Sequence, residues 1–302
     1  MLAKIKETLI SKEITVQGIY EKRIDDENSL QYHFTNIYSA LLAKIGGIPW
    51  TFKSANPENL IIGVGAYCSK RIGKRYIGCA FNFHGNGVFS EYSCTNENDT
   101  TMLVKKIRDA VVRYITSHNQ NCTGDDIKLP KMIVIHFYKK LSKKDWSPIL
   151  RMLKEIRYNI PIVVVTINKT ETKDIIAFDN EVADKMPLSG TYIKVDKNTY
   201  LVYNNSKYNQ EEFDKNKGRK LYRYPIKIHL ESNDINVLQD KHNVNEIIKQ
   251  VHQLSRINWK TVDTQNLPIT VTYPEYLARY IPYFTNDEIP NKQFSCHNLW
   301  FL

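Results

Sequence analysis

Lys44-Ile45-Gly46-Gly47-Ile48-Pro49-Trp50, and shortly after it Asn59-Leu60-Ile61-Ile62-Gly63-Val64-Gly65-Ala66-Tyr67, are the stretches on which the reading of the fold turns. The second is an apolar run bounded by polar and glycine residues, which reads as a buried strand. The first is punctuation: two glycines and a proline stop whatever precedes them. What precedes is Leu30 to Lys44, where Phe34, Ile37, Tyr38, Leu41 and Leu42 recur at i, i+3, i+4, i+7 spacing and predict an amphipathic helix with that stripe inward and Lys44 in its last turn. Downstream, Tyr76 to Phe81 reads as a strand, Thr101 to Ser117 as a helix and Met132 to Phe137 as a strand. Trp146 to Arg157 follows as a helix and Ile160 to Ile167 as a strand. Thr191 to Val195, Tyr200 to Tyr203 and Pro225 to Leu230 read as further strands, then Val244 to Leu254 and Tyr273 to Ile281 as helices. Strands alternating with helices predict an α/β layered domain, with a boundary near Gly47 to Trp50. The polar stretch Tyr203 to Lys220 reads as an exposed loop outside the core.

Composition narrows the partners. The 302 residues carry 42 Lys and Arg against 32 Asp and Glu, a net charge of +10 that favours polyanions, nucleic acid first and an anionic membrane surface second. No stretch has the length of a membrane span and the N-terminus lacks the apolar core of a signal peptide. Cys68, Cys79, Cys94, Cys122 and Cys296 form no C-x-x-C pair and are odd in number, which argues against a disulfide framework or zinc site and for a reducing cytoplasm.

The phrase from Asn36 through Lys44-Ile45-Gly46-Gly47-Ile48-Pro49-Trp50 to the strand Leu60-Ile61-Ile62-Gly63 resembles the MID-to-PIWI junction of Argonautes. Ile133-Val134-Ile135-His136 is similar to the central PIWI strand and Gly190-Thr191-Tyr192 to its later hairpin. Ile257-Asn258-Trp259, Leu267-Pro268-Ile269-Thr270 and Tyr273 are similar to the approach to the C-terminal helix, and Asn298-Leu299-Trp300-Phe301-Leu302 to the terminal strand. The resemblance covers essentially the whole chain and implies an RNase H-like PIWI domain over residues 49–302. A partial, C-terminal segment of a Rossmann-like MID domain precedes it over residues 1–48, as in the short prokaryotic Argonautes.

Nuclease members of that family hold two divalent metals with four acidic or histidine side chains, because two close cations need concentrated negative charge. Here Gly65 stands where the first aspartate is expected, Tyr138 lies near the second, and Glu275 falls at the last ligand. Glu97 or Asp99 lies about where the mobile glutamate does. Glycine has no ligand atom and a phenol has a pKa near ~10, so the resemblance implies a PIWI domain without a catalytic metal pair. Glu97, Asp99 and Glu275 then read as solvated surface acids.

The family grips the 5′ phosphate of its guide with a lysine, a glutamine and a second lysine, and Lys6, Gln17 and Lys44 match that spacing. Ammonium groups plus a neutral amide donor suit a terminal phosphate dianion. Singly, each lysine reads equally well as a helix-surface residue, and Lys44 is already favoured by the helix dipole. Asn36 and Arg279 are further candidates, and the Leu302 carboxylate, ending a Trp-Phe-Leu strand, is expected to help hold a Mg²⁺ ion at the phosphate. Leu2 occupies the position where the family stacks an aromatic ring on the first guide base. Arg71, Lys74 and Arg75 are candidate contacts to the nucleic-acid backbone.

The resemblance implies a guide strand, RNA in preference to DNA, and a target DNA that is recognised but not cut. It also implies a heterodimer with an Argonaute-associated protein bearing a PAZ-like region, and a separate effector in defence against viruses and plasmids. An active nuclease with unorthodox ligands and a guide-independent scaffold are the competing readings.

Overall fold

A computed structural model describes residues 2–25, 27–68, 75–77, 80–94, 100–119, 128–138, 140, 147–151, 159–168, 175–210 and 224–302. Eight strands form one sheet in the order β5-β4-β1-β6-β7-β10-β9-β8. They are β1 (Leu60–Val64), β4 (Ala80–His84), β5 (Phe89–Ser93), β6 (Ile133–Phe137), β7 (Ile162–Asn168), β8 (Tyr192–Asp196), β9 (Thr199–Val202) and β10 (Ile226–Ser232). A separate hairpin pairs β2 (Ala66–Cys68) with β3 (Arg75–Ile77). The centre β1-β6-β7 is parallel and the flanks are antiparallel. Every residue of β1 and β6 is buried, as expected of parallel strands covered on both faces.

The covers explain the burial. Helix α4 (Thr100–His118) lays Leu103, Ile107 and Val111 on Leu60, Ile62 and Ile135. On the other face, α6 (Lys241–Leu254) and α7 (Ile269–Ala278) pack Ile247, Val251 and Val271 against Val134, Val165 and Ile228. Before the sheet come α1 (Leu2–Ile10), α2 (Glu21–Ile24) and α3 (Glu27–Lys44). Ile10, Ala40 and Ala43 share one core with Ile61, Phe81, Tyr273, Trp300 and Phe301, so the chain's two ends close on each other.

Helix α7 lies unusually near β1. A Cβ at Gly63 would stand 2.2 Å from the Thr270 carbonyl, and one at Gly65 2.7 Å from that of Val271. Pro274, inside α7, has no N–H to give the Thr270 carbonyl four residues back, and that is the carbonyl against which Gly63 rests. The sequence reading runs this helix from Tyr273 to Ile281, with Pro274 inside it; the helix in fact starts at Ile269, directly after Pro268, and ends at Ala278.

Four other expectations are corrected. The stripe Phe34, Tyr38 and Leu41 of α3 is exposed, at 61%, 58% and 42%, whereas Ser39, Ala40, Ala43 and Lys44 are buried. Small side chains let this face approach the core closely, which the apolar stripe would not. Asn298 to Leu302 is no strand: the Leu302 amide donates to the Leu299 carbonyl at 3.1 Å, in a turn that buries Trp300 and Phe301. Tyr203, Asn204, Asn205 and Lys207 are buried rather than part of an exposed loop, because the Lys207 Nζ ion-pairs with Asp184 at 2.8 Å and donates to the Met186 carbonyl at 2.6 Å. Cys94 is disulfide-bonded, against the expectation from an odd, scattered set of cysteines, while Cys296 is free. The helix expected over Trp146 to Arg157 lies outside the described residues except at 147–151, which are helical.

Replacing Gly63 by alanine forces β1 and α7 apart, and destabilisation of about 1–3 kcal/mol is expected for such overpacking. An unchanged urea midpoint for Gly63→Ala would contradict the close approach.

Candidate functional site

Two buried lysines mark the place where the N-terminal helices meet the end of the chain. α1 turns Lys6 and Ile10, one helical turn apart, to the same buried side. α3 ends with Lys44 beside Ala40 and Ala43, and Gly46 closes it in the left-handed region at φ 86°. Lys6 is 2% exposed and Lys44 1%, an unusual state for lysine.

Their hydrogen bonds go to neutral oxygens. The Lys6 Nζ donates to the Trp300 carbonyl at 2.7 Å and stands 4.7 Å from the centre of the Tyr280 ring. The Lys44 Nζ donates to the Val16 carbonyl at 3.0 Å and to the Oε1 of Gln17. Neither ion-pairs with a carboxylate among the described residues. Burial, then the charges of Lys44 and Lys260, push the Lys6 pKa down to about 7. Burial, then Lys260, push that of Lys44 down to about 8.

Lys260 is the member of this cluster that the sequence reading missed. It follows Trp259, whose amide donates to the Tyr273 hydroxyl at 2.9 Å and whose indole donates to the Trp50 carbonyl at 3.0 Å. The Trp50 indole returns a bond to the Arg256 carbonyl at 3.1 Å. This double clamp fixes the segment, and Asn36 finishes it by accepting from the Val262 amide at 2.7 Å. Asn36 thus positions the Lys260 loop. The Lys260 Nζ lies 4.3 Å from the Tyr276 ring centre, and its pKa is lowered by burial and then by Arg279. A lysine directly after a buried tryptophan was the available signal.

The positions at which the resemblance expects metal ligands lie at the ends of β1 and β6 and on α7. Gly65 and Tyr138 each follow the last pair of the β1–β6 register, Val64 with Phe137. The α7 backbone fills the space that a side chain at Gly65 would need. Glu275 is not a solvated surface acid: its side chain is 15% exposed and ion-pairs with Arg279 at 2.6 Å. Among the described residues no three His, Cys, Asp or Glu side chains gather in a way that could hold a metal. Glu97, Asp99, Arg71 and Lys74 lie outside the described residues, and of Arg75 only its backbone pairing with Cys68 in β2–β3 is described. Leu2 is 44% exposed at the start of α1.

The fold and the site now admit a comparison with known proteins. Residues 1–286 match the Piwi domain family. The chain belongs to that family. It is 24% identical over 298 residues to a Piwi protein of Archaeoglobus fulgidus, covering 91% of this chain and 66% of that one. It is 24% identical over 309 residues to the Protein argonaute of Cereibacter sphaeroides, covering 92% and 37%. Among solved structures, Clostridium butyricum Argonaute bound to a guide DNA and a target DNA matches at TM-score 0.64 and 19% identity, over 98% of this chain and 37% of that one. Marinitoga piezophila Argonaute in complex with 5′ OH guide RNA and target DNA matches at TM-score 0.61 and 18% identity, over 88% and 37%. These structures share the RNase H-like α/β fold, and the chain spans only part of each relative.

The cluster does not fit a resident divalent ion. Besides Glu275, which Arg279 holds, and the Leu302 carboxylate, its described oxygens are the Gln17 amide and main-chain carbonyls, set among Lys6, Lys44, Lys260 and Arg279. Magnesium is bound through one or two carboxylates together with phosphate oxygens and water, and the described side chains here carry more cationic than anionic groups. Leu302 is 5% exposed, two residues past the carbonyl that Lys6 holds.

Both lysines have folded-state pKa values below their ordinary 10.5. From pH 7 to 9 the unfolded chain binds more protons than the folded one, so the free protein gains stability as pH rises through that window. Its upper limit stays below the range where Tyr92 and Tyr273, with phenol pKa values raised by burial, act in the opposite direction. Urea unfolding at pH 7, 8 and 9 should show the rise, and Lys6→Met should reduce it. A flat profile in the unmodified protein would show that these lysines are not buried charges.

Proposed function

We propose that this chain anchors the 5′ phosphate of a guide strand at the cluster of Lys6, Gln17, Lys44, Lys260 and Arg279, and presents the guide to a target DNA without cutting it. The observation that carries this reading is a set of cationic side chains, two of them buried and held only by neutral acceptors. Burying charge without a counter-charge is costly, and a terminal phosphate dianion supplies what is missing. On binding, the phosphate raises the Lys6 and Lys44 pKa values so that both are ammonium groups at neutral pH and point at phosphate oxygens, while Gln17 orients Lys44.

Absence of cleavage is supported by Gly65 and Tyr138, and by the α7 backbone that excludes a carboxylate at Gly65. Sequence would be read by base pairing, with the protein holding backbone. We take the guide to be RNA and the target DNA, the pairing carried by the Marinitoga complex. A partner protein with a PAZ-like region, forming a heterodimer in the cytoplasm, is supported by the exposed face of Phe34, Tyr38 and Leu41 on α3 and Ile45 just after it. Its effector would answer target recognition in defence against viruses or plasmids. Tyr38→Asp should release the partner during gel filtration of the co-expressed pair.

The 5′-hydroxyl guide in the Marinitoga complex sharpens the test. Matched RNA strands with 5′ phosphate and 5′ hydroxyl ends should differ in Kd for this chain. Lys44→Ala should weaken only the phosphorylated strand, by about 10- to 100-fold, the loss of one or two charge-assisted hydrogen bonds at ~1.5–3 kcal/mol. Labelled target DNA incubated with Mg²⁺ or Mn²⁺ should remain intact. Equal affinity for both ends would leave a guide-independent scaffold, and target cleavage would establish a nuclease with other ligands.

A further inference from the structure

Two histidines that the sequence keeps apart meet on the sheet face opposite the lysine cluster. On β4, Phe81 and Phe83 face the core shared with Tyr273, so Asn82 and His84 point to the other side, under α4. There the Arg113 Nε of α4 ion-pairs with the Glu91 Oε1 of β5 at 2.6 Å, and the Asn82 Nδ2 donates to the same oxygen at 3.0 Å. This bridge fixes α4 along the strand. Farther on, His118, the last residue of α4, comes to His84, the last residue of β4, with ring centres 5.8 Å apart and planes at 60°.

The His118 ring is already aimed. Its Nδ1 lies 2.8 Å from the Tyr114 carbonyl one turn back, and its plane stacks on the Tyr114 ring at 4.1 Å. A carbonyl only accepts, so Nδ1 carries the proton and Nε2 keeps its lone pair. The Ser117 hydroxyl, 3.2 Å from the same Nδ1, leaves Nε2 untouched. His84 makes no side-chain hydrogen bond among the described residues, so its ring is not locked away from its neighbour. One ring nitrogen donating to a main-chain carbonyl, with the other left open, is the usual state of a metal-ligating histidine.

Two imidazoles that share an ion at Zn–N distances of ~2.0–2.1 Å stand with ring centres about 5–6 Å apart, and this pair falls in that range. The charges around it are otherwise engaged: Arg113 is held by Glu91, and Glu58, whose charge reaches the Tyr114 phenol, is held by Lys131 at 2.8 Å. Among the described residues no third His, Cys, Asp or Glu joins the pair, so water completes the coordination. His118 is exposed and His84 half-buried, which leaves the site open to solvent.

We propose that His84 and His118 bind a zinc ion between them, one imidazole nitrogen from each ring. Neutral imidazole suits zinc, whereas magnesium takes oxygen donors. The ion fastens the end of α4 to the rim of the sheet, away from the lysine cluster.

Isothermal titration calorimetry of the metal-free chain with zinc chloride tests this. A zinc ion should bind at sub-millimolar concentration. His118→Ala and His84→Gln should each weaken that binding by at least the ~10- to 100-fold that loss of an outer hydrogen-bond partner costs a metal site. His242→Ala, on α6, should leave it unchanged. Because His118 is exposed at a helix end, His118→Ala should keep the thermal unfolding midpoint, so that its lost binding reports the ligand and not the fold. Absence of zinc binding below millimolar concentration, or binding undiminished in either His118→Ala or His84→Gln, would overturn the proposal.

Discussion

The hydrogen bond from the Lys6 Nζ to the Trp300 carbonyl joins residues 294 apart in sequence, and the site depends on it. Burying an ammonium group is tolerable only when its donors are met, and Lys6 meets one main-chain oxygen and two aromatic faces, Tyr280 and Trp300. That bond holds α1 against the turn at the chain end. The same turn buries Trp300, whose indole donates to the Tyr92 hydroxyl at 2.8 Å, and so ties the lysine cluster to the rim of the sheet.

A second constraint is the closeness of β1 and α7. Gly63 and Gly65 let the strand rest on the helix backbone, and this brings Arg279 and Tyr276 toward Lys260. The packing that assembles the cationic cluster is thus the packing that leaves no room for an aspartate at Gly65. The cationic cluster and the filled space at Gly65 have one structural cause, and Arg279 connects the two through its ion pair with Glu275.

Much of the fold was legible because its signals are local. Apolar runs located β6 and β7 to within about two residues and β1 to within about three, and Gly46 ended α3 as its φ of 86° requires. The face of α3 was not legible: an apolar stripe predicts burial only if the surface that covers it lies within the same fold, and here Ala40 and Ala43 face the core instead. Nor could local pattern tell that Lys207, in a polar stretch, would be buried on Asp184, or that the last five residues would turn rather than extend. In the site, spacing selected Lys6, Gln17 and Lys44 jointly, and the structure places Gln17 on Lys44. Lys260 was missed because its role comes from the clamp of Trp50 on Arg256 and Trp259, contacts across 206 and 209 residues.

The central claim is that the buried lysines await an anion, and their own titration measures it. Nitrogen-detected NMR of the Lys6 and Lys44 side chains across pH 6 to 11, with and without a 5′-phosphorylated RNA strand, reads the two pKa values directly. The free protein should show them near 7 and 8, and the phosphorylated strand should raise both toward the ordinary lysine value, because an adjacent anion favours the charged form. Lysines that titrate identically with and without the strand would contradict the account.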